Sequence, residues 1–426
     1  MIRHRRIFQR TPLSGVGSPT VLLGPGFVNP GITYTADTNL TYFDSTGTLQ
    51  TAGVNTMVLD YDPSTLALRG YPFWEARTNS IRNNTMQGAS AGTPGTMPTN
   101  WTTFTALTGL TRTVVGTGTE SGVNYIDIQL SGTPSSAGTY FINYETTTQI
   151  AASNGQTWSG GAFYKLAAGA LTGISAFDHF VAEENAGGSQ LGGGSITFTP
   201  TSSGLAIQRQ SVAYTNVNAS TAFEGAFVRL TLTGVAINIT LRIGLPQLEL
   251  GAFATPVIKT TNAAVTRAAP SCAITGSAFS GFWNIAQGSL LVSIIKASTD
   301  LSKIIAIDNG SAGLTTNGID IDIATTTQVR TLGFAASAAQ WSIAPATSFS
   351  AGIIQKYAVG FATDSIGFSP NGAAASTDAS AIIPSSGITQ MTIGNWAGGS
   401  FLNGWINSLL YYPVRLPNAS LQSLST

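Results

Sequence analysis

The chain has 426 residues, of which 43% are hydrophobic and only 9% charged, against roughly 25% charged in an average soluble protein. Lys+Arg and Asp+Glu each total 19, so no basic excess exists to neutralise a phosphate backbone, which argues against nucleic acid as the main partner. The single cysteine, Cys272, excludes an internal disulfide and reads as a small buried hydrophobe, and no run approaches the roughly 20 apolar residues of a membrane helix.

Along the chain, the first ten residues carry Arg3, His4, Arg5, Arg6 and Arg10. Arg10, Pro12, Ser14, Gly15 and Gly17 then interrupt any apolar stretch, which argues against a secretory signal. The basic arm reads either as an anchor inserted into an acidic neighbour, with Arg3, Arg5, Arg6 and Arg10 as its contacts, or as a solvated terminus. Residues 1–98 lack a sustained strand pattern and suit an extended segment that gains order by lying on other subunits. From there on, period-2 alternation dominates, as in Tyr125-Ile-Asp-Ile-Gln-Leu130, Phe227-Val-Arg-Leu-Thr-Leu-Thr233, Ile237-Asn-Ile-Thr-Leu-Arg-Ile243 and Ile319-Asp-Ile-Asp-Ile323. Gly, Asn, Ser and Pro clusters separate these runs at roughly 8–15 residues, the rhythm of antiparallel β-sandwiches. One series fills 99–269 and a second fills 270–426, with a joint near 260–269. The best helix candidate lies at the end, Asn418-Ala-Ser-Leu-Gln-Ser-Leu, with Asn418 as its N-cap after Pro417.

Residues that carry chemistry are sparse. Asp320 and Asp322 share a strand face, but alternation with three isoleucines makes them the solvent side of a half-buried strand rather than a hydrolytic pair. Glu183-Glu184, beside Asn185-Ala-Gly-Gly, reads as a solvated turn. Asp178 and His179 are adjacent and so point to opposite faces, which prevents them from acting as a dyad. No Gly-x-Ser-x-Gly elbow, His/Cys metal spacing or phosphate-cradling loop occurs. Asp300, Asp308-Asn309 and Asp364 could serve a Ca²⁺ ion, yet each also reads as a turn residue, so no metal site is assigned. Sugar faces pack on exposed rings, and Trp341 and Trp396, each beside small flexible residues, are the loop-borne candidates; Trp405 reads as core.

Several stretches resemble a known family. Thr41-Tyr-Phe-Asp-Ser-Thr-Gly, Leu59-Asp-Tyr-Asp-Pro-Ser-Thr-Leu66 and Trp74-Glu-Ala-Arg-Thr-Asn79, with Trp101 following, are similar to a module of bacteriophage, prophage and gene-transfer-agent fibre or appendage proteins. Its middle domain closes with segments like Gln247-Leu-Glu-Leu-Gly-Ala-Phe-Ala-Thr-Pro256 and Ala263-Ala-Val-Thr-Arg-Ala-Ala269. The resemblance implies a carbohydrate-binding-module-like jelly roll at 99–269. Phe401-Leu-Asn-Gly-Trp-Ile-Asn-Ser-Leu-Leu-Tyr-Tyr-Pro413 resembles the closing strand of concanavalin-A-like, laminin-G-like sandwiches, implying that fold at 270–426.

The expectation is therefore an all-β, non-enzymatic virion structural protein. It would be a head or tail fibre on the particle surface, attached to capsid, portal or tail proteins by its N-terminal region. It would display two β-sandwiches toward host-surface glycans, as a homo-oligomer and in particular a trimer, with no membrane insertion and no required cofactor. A glycan-degrading tailspike and a capsid decoration or cement protein stand as alternatives.

Overall fold

The computed structural model describes residues 18–310, 315–346 and 348–426; the basic arm with Arg3, Arg5, Arg6 and Arg10 lies outside them. The chain is all-β, with antiparallel sheets and, among the described residues, two short α-helices, Gly276–Ser280 and Asn418–Leu424. It divides into two compact units, whereas the sequence pattern suggested three consecutive regions. One unit takes residues 18–35, 68–75 and 270–426, the other 36–67 and 76–269. Residues 18–98 are therefore not an extended tail but are shared out between two sandwiches. Their strands are only two to six residues long, too short to show a period in sequence, and sheet neighbours supply the order that local pattern does not.

In the first unit, one sheet runs through Thr20–Gly24, Gly404–Tyr412, Gln287–Lys296, Ile354–Ala362 and Ser365–Pro370, with Leu68–Phe73 also paired to Gly404–Tyr412. The other has the order Ala338–Ile343, Gln328–Ala335, Gly318–Thr325, Ser302–Asp308, Gln390–Ile393, Ser271–Thr275, Ile32–Thr35. Trp283 stacks against Phe279, Phe361 and Tyr411 at 5.1–5.4 Å, and Trp405 meets Trp74 edge-on at 5.0 Å. Cys272 is fully buried, and burial pushes its thiol up to about 12, as expected of an inert packing residue. The final helix forms where the sequence suggested, but Pro417 occupies the cap; Asn418 is the first helical residue and its Oδ1 accepts from Arg415.

In the second unit, a five-stranded sheet (Leu110–Glu120, Val123–Gly132, Ile237–Leu250, Thr157–Ala170, Arg209–Thr215) faces a six-stranded one. The second sheet runs Gln190–Phe198, Ile174–Glu184, Phe223–Thr233, Ala137–Asn143, Thr102–Phe104, with Ile150–Ala151 also on Phe223–Thr233. Alternate residues of these strands fill one apolar core, including Ile128, Tyr140, Val181, Val228, Leu230 and Ile243.

Within this unit the segments 76–79, 247–256 and 263–269 meet through buried polar contacts. Asn79, fully buried, accepts from the Leu248 and Ile81 amides and donates to the carbonyls of Ile258 (2.9 Å) and Pro246 (3.3 Å). Arg77 donates to the Leu250 carbonyl and lies over the Phe253 ring at 4.9 Å. Glu249, buried, accepts from both the amide and the hydroxyl of Thr255, whose Oγ1 also accepts from Arg267 at 3.0 Å. Distant segments are thus locked by buried polar groups that each satisfy a backbone partner.

Candidate functional site

Between the two sheets of the second unit lies the buried chain Tyr144, Tyr164 and His179, with Tyr164 on the strand Thr157–Ala170 of the five-stranded sheet and His179 on the strand Ile174–Glu184 of the six-stranded one. The two hydroxyls share a hydrogen bond, and Tyr164 Oη lies 2.6 Å from His179 Nδ1. Burial holds His179 neutral, its pKa lowered to about 3. Asp178 points the opposite way, as strand alternation requires, and ion-pairs with Arg229 at 2.9 Å.

That opposite side carries a row of aromatic rings with polar groups beside it. Phe104 pairs with Phe141 and Phe180 with Phe227 across neighbouring strands. The rings follow one another without a gap: Phe104–Phe141 at 6.1 Å, Phe141–Phe227 at 5.4 Å and Phe227–Phe180 at 5.0 Å between centroids. Phe104 is 63% exposed, Phe141 is intermediate, and Phe227 and Phe180 are buried, so the row deepens from an open end. Polar groups interleave with it. Arg229 stands opposite Phe141 and lays its guanidinium over Phe180 at 4.5 Å, while Asn143 stands opposite Phe227 and donates to Thr102 at 3.2 Å. Asp178 accepts from both Arg229 and Thr197. At the open end, the Phe104 ring offers an apolar face beside fixed donors and acceptors, which is what binding to a ligand with mixed C–H and hydroxyl surfaces requires.

The sequence-selected residues fall elsewhere. Trp341 is not a loop residue; it lies in the strand Ala338–Ile343, 3% exposed. Its ring packs flat on Gly333, where a Cβ would come within 2.1 Å of the indole, so the glycine opposite makes the slot that buries it. Trp396 does sit in a tight turn and is half-buried, its turn closed by mutual backbone hydrogen bonds with Gly399. Its indole N–H donates to Asp308 Oδ2 at 2.7 Å, so the ring is held in one orientation.

Two acidic readings are corrected. Asp320 and Asp322 do share a face, but they are 1% and 4% exposed, not solvated. Lys303 donates to both, at 2.8 Å to Asp322, and Arg330 grips Asp322 through Nε at 3.1 Å and Nη2 at 2.7 Å. The cations of the flanking strands permit this burial, which single-strand alternation does not reveal. Glu183 and Glu184 likewise end the strand Ile174–Glu184 and are buried; the turn begins only at Asn185. Asp300 engages Lys296, Ser298 and Asn403, Asp308 accepts the Gly310 amide, and Asp364 occupies a left-handed turn with φ 56°. Among the described residues no group of three or more His, Cys, Asp or Glu converges for a metal, and no helix is long and apolar enough to cross a membrane.

The phenylalanine row escaped sequence reading because attention falls on tryptophan. A signal was present: in Phe177-Asp-His-Phe180 and Phe227-Val-Arg-Leu, apolar residues occupy both parities of a strand, more than one buried face needs.

No family model matches the chain, and no curated protein matches it. Solved structures similar to it include the CBM40 of Ruminococcus gnavus IT-sialidase bound to α2,3-sialyllactose (15% identity, 33% of this chain and 84% of that one, TM-score 0.29). The CBM22-1–CBM22-2 tandem domain of Paenibacillus barcinonensis Xyn10C aligns over 79% of this chain and 96% of its own at 8% identity, TM-score 0.25. Trypanosoma rangeli sialidase in complex with sialic acid aligns over 74% and 68% at 9% identity, TM-score 0.27. Scores of this size carry no argument about ligand or activity, which rests on the side chains described above.

Proposed function

We propose that this chain is a carbohydrate-binding surface protein whose second unit takes an oligosaccharide on its phenylalanine face. The observation that carries the reading is the unbroken row from Phe104 to Phe180 crossing four strands, interleaved with Asn143, Arg229 and Asp178. Phe104 is open and Phe141 partly so, while Phe227 and Phe180 are buried, so the accessible end of the row is a platform about one strand spacing wide, ~4.8 Å, on which one unit of the oligosaccharide would stack. Trp396, with its indole fixed by Asp308, serves as a separate, smaller platform in the first unit.

The wider setting is a virion or virion-like particle, with this protein as a head or tail fibre or appendage. The low charge, the hydroxyl-rich surface and the resemblance of the segments 74–79, 247–256 and 401–413 to fibre proteins support it. In this reading Arg3, Arg5, Arg6 and Arg10 anchor the protein to capsid, portal or tail, and the assembly is a trimer. Asp320 and Asp322, each closed by Lys303, are neutralised by the protein itself, which disfavours the glycan-degrading alternative at that pair.

A glycan array probed with the full chain tests the proposal, followed by calorimetry of any hit with Phe104→Ala. The exposed ring can be removed without opening the core, and its loss should weaken binding by roughly tenfold, as for a ring contact of about 1.4 kcal/mol. An empty array, or a hit bound equally well without the Phe104 ring, would overturn the reading and leave a decoration role for the particle.

A further inference from the structure

The strand Ile174–Glu184 ends in two carboxyls that point to opposite faces. Glu183 takes the core-facing side and stands directly opposite Glu224 of the neighbouring strand, each 1% exposed. Two like charges in that position repel, so the pair must divide its roles.

Their surroundings divide them. Glu183 Oε1 accepts from the Tyr214 hydroxyl at 3.1 Å; Oε2 accepts from the amides of Val217 (3.1 Å) and Asn218 (3.2 Å) and from the Thr221 hydroxyl (2.8 Å). Against the pull of burial, these donors hold its carboxyl below the ordinary value, and it stays ionised. Glu224 has one donor, Asn216 Nδ2 at 2.7 Å, and its Oε1 is buried without a partner. Burial, reinforced by Glu183 and Glu184, raises it to about 8, so it keeps its proton at neutral pH. The titratable groups acting on Glu224 are Glu183 from the paired strand, Glu184 beside it and Tyr214 from the strand Arg209–Thr215, and none of them is a cation.

The hydrogen bonds that tie residues 217–221 to the rest of the unit run to Glu183, while the others stay within the loop, and Val217 is 72% exposed. We propose that Glu183 and Glu224 form a one-proton latch: with a single proton on the pair the loop 217–221 stays closed, and loss of that proton frees it. The loop re-enters the sheet through the Ala222 amide, bonded to the Glu184 carbonyl at 2.8 Å, and then Phe223 on the phenylalanine face. The latch thereby sets the shape of one end of that face, a consequence that rests on the carbohydrate reading above.

Hydrogen exchange on the full chain and on Glu224→Gln tests it, at about pH 6.5 and about pH 9, on either side of the latch proton. Glu184, also raised to about 8 by burial, titrates in this range in both proteins, so the difference between them reports Glu224. Comparing the two proteins at each pH cancels intrinsic exchange rates. At the higher pH the amides of 217–222 should exchange about tenfold faster in the natural chain than in the glutamine variant, and at the lower pH the two should agree. The same ratio at both pH values overturns the latch. Glu183→Gln, which weakens the acceptor without changing its shape, should loosen the loop at both; an unaltered loop there also overturns it. Exchange is read without any sugar, so the latch stands or falls apart from the carbohydrate proposal. Repeating the calorimetry of an array hit at both pH values tests the link alone.

Discussion

Replacing Lys303 with methionine is the sharpest test of how the first unit tolerates buried charge. The lysine side chain is 14% exposed and serves two carboxylates, Asp320 at 0% and Asp322 at 6% side-chain exposure. Burial pulls the lysine's pKa down, but Asp320 and Asp322 together hold it above its ordinary value, so the cation is fully charged. Methionine keeps the length and apolar stem while removing the charge. Breaking a buried pair by deleting one partner costs about 3–5 kcal/mol, because an uncompensated charge remains inside. Here the loss depends on pH. Burial and then repulsion from Asp322 raise Asp320 to about 7, above its ordinary 3.8. A carboxyl raised in the folded state stabilises most when both states are protonated and loses that contribution as pH rises from about 4 to about 7. Near pH 5 Asp320 is neutral and only Asp322, still held by Arg330, misses the lysine. Toward pH 8 the natural chain ionises Asp320 against Lys303. The variant has lost the cation that lowers it and must either carry that charge uncompensated or hold the proton at a cost in stability. The deficit of the variant should therefore be about 3–5 kcal/mol at the higher pH and clearly smaller at the lower one. Urea titrations at the two pH values, with exchange of the strand Gly318–Thr325 as a local probe, measure it. Adding Asp320→Asn should recover part of the loss. A deficit below about 1 kcal/mol at pH 8, or one equal at both pH values, would refute the account, since it would make the cluster a solvated surface network.

Three further outcomes follow from particular contacts. Gly251 has φ +142°, and a Cβ there would fall 1.1 Å from Arg77 Nη1; Gly251→Ala should expel that guanidinium and destabilise the second unit by about 2 kcal/mol or more, read from thermal unfolding. His179, lowered to about 3 from its ordinary 6.5 by burial, contributes stability that is complete above about pH 6.5 and drains as pH falls toward 3. His179→Gln should flatten that acid limb in a pH series of urea midpoints, and an unchanged limb would assign it to other groups. Trp396→Phe keeps the ring but loses the 2.7 Å bond to Asp308, leaving a buried acceptor short of one donor and costing about 1–3 kcal/mol, measurable by the same titrations.

The sequence by itself determined the all-β class, because alternation along 125–130, 227–233 and 237–243 allows one face to be buried at a period of two and nothing else. It also determined that His179 and Asp178 could not act together, since neighbours on a strand diverge. Cys272 was legible as core as a lone small hydrophobe, and Trp405 from its place in the segment 401–413 that resembles a closing sandwich strand. What it could not decide was anything that depends on which strands lie side by side. Several short strands within 18–98, such as Thr20–Gly24 and Leu68–Phe73, take sheet partners hundreds of residues away, so a segment read as extended is in fact divided between two sandwiches. Asp320 and Asp322 look solvent-facing until Lys303 and Arg330 arrive from flanking strands, and Trp341 looks free until Gly333 opens a slot beneath it. The phenylalanine row is the clearest instance. Each ring is one unremarked residue on its own strand, and only sheet pairing sets Phe104, Phe141, Phe227 and Phe180 side by side. Alternation reports the faces of a strand, and tertiary structure alone reports who shares them.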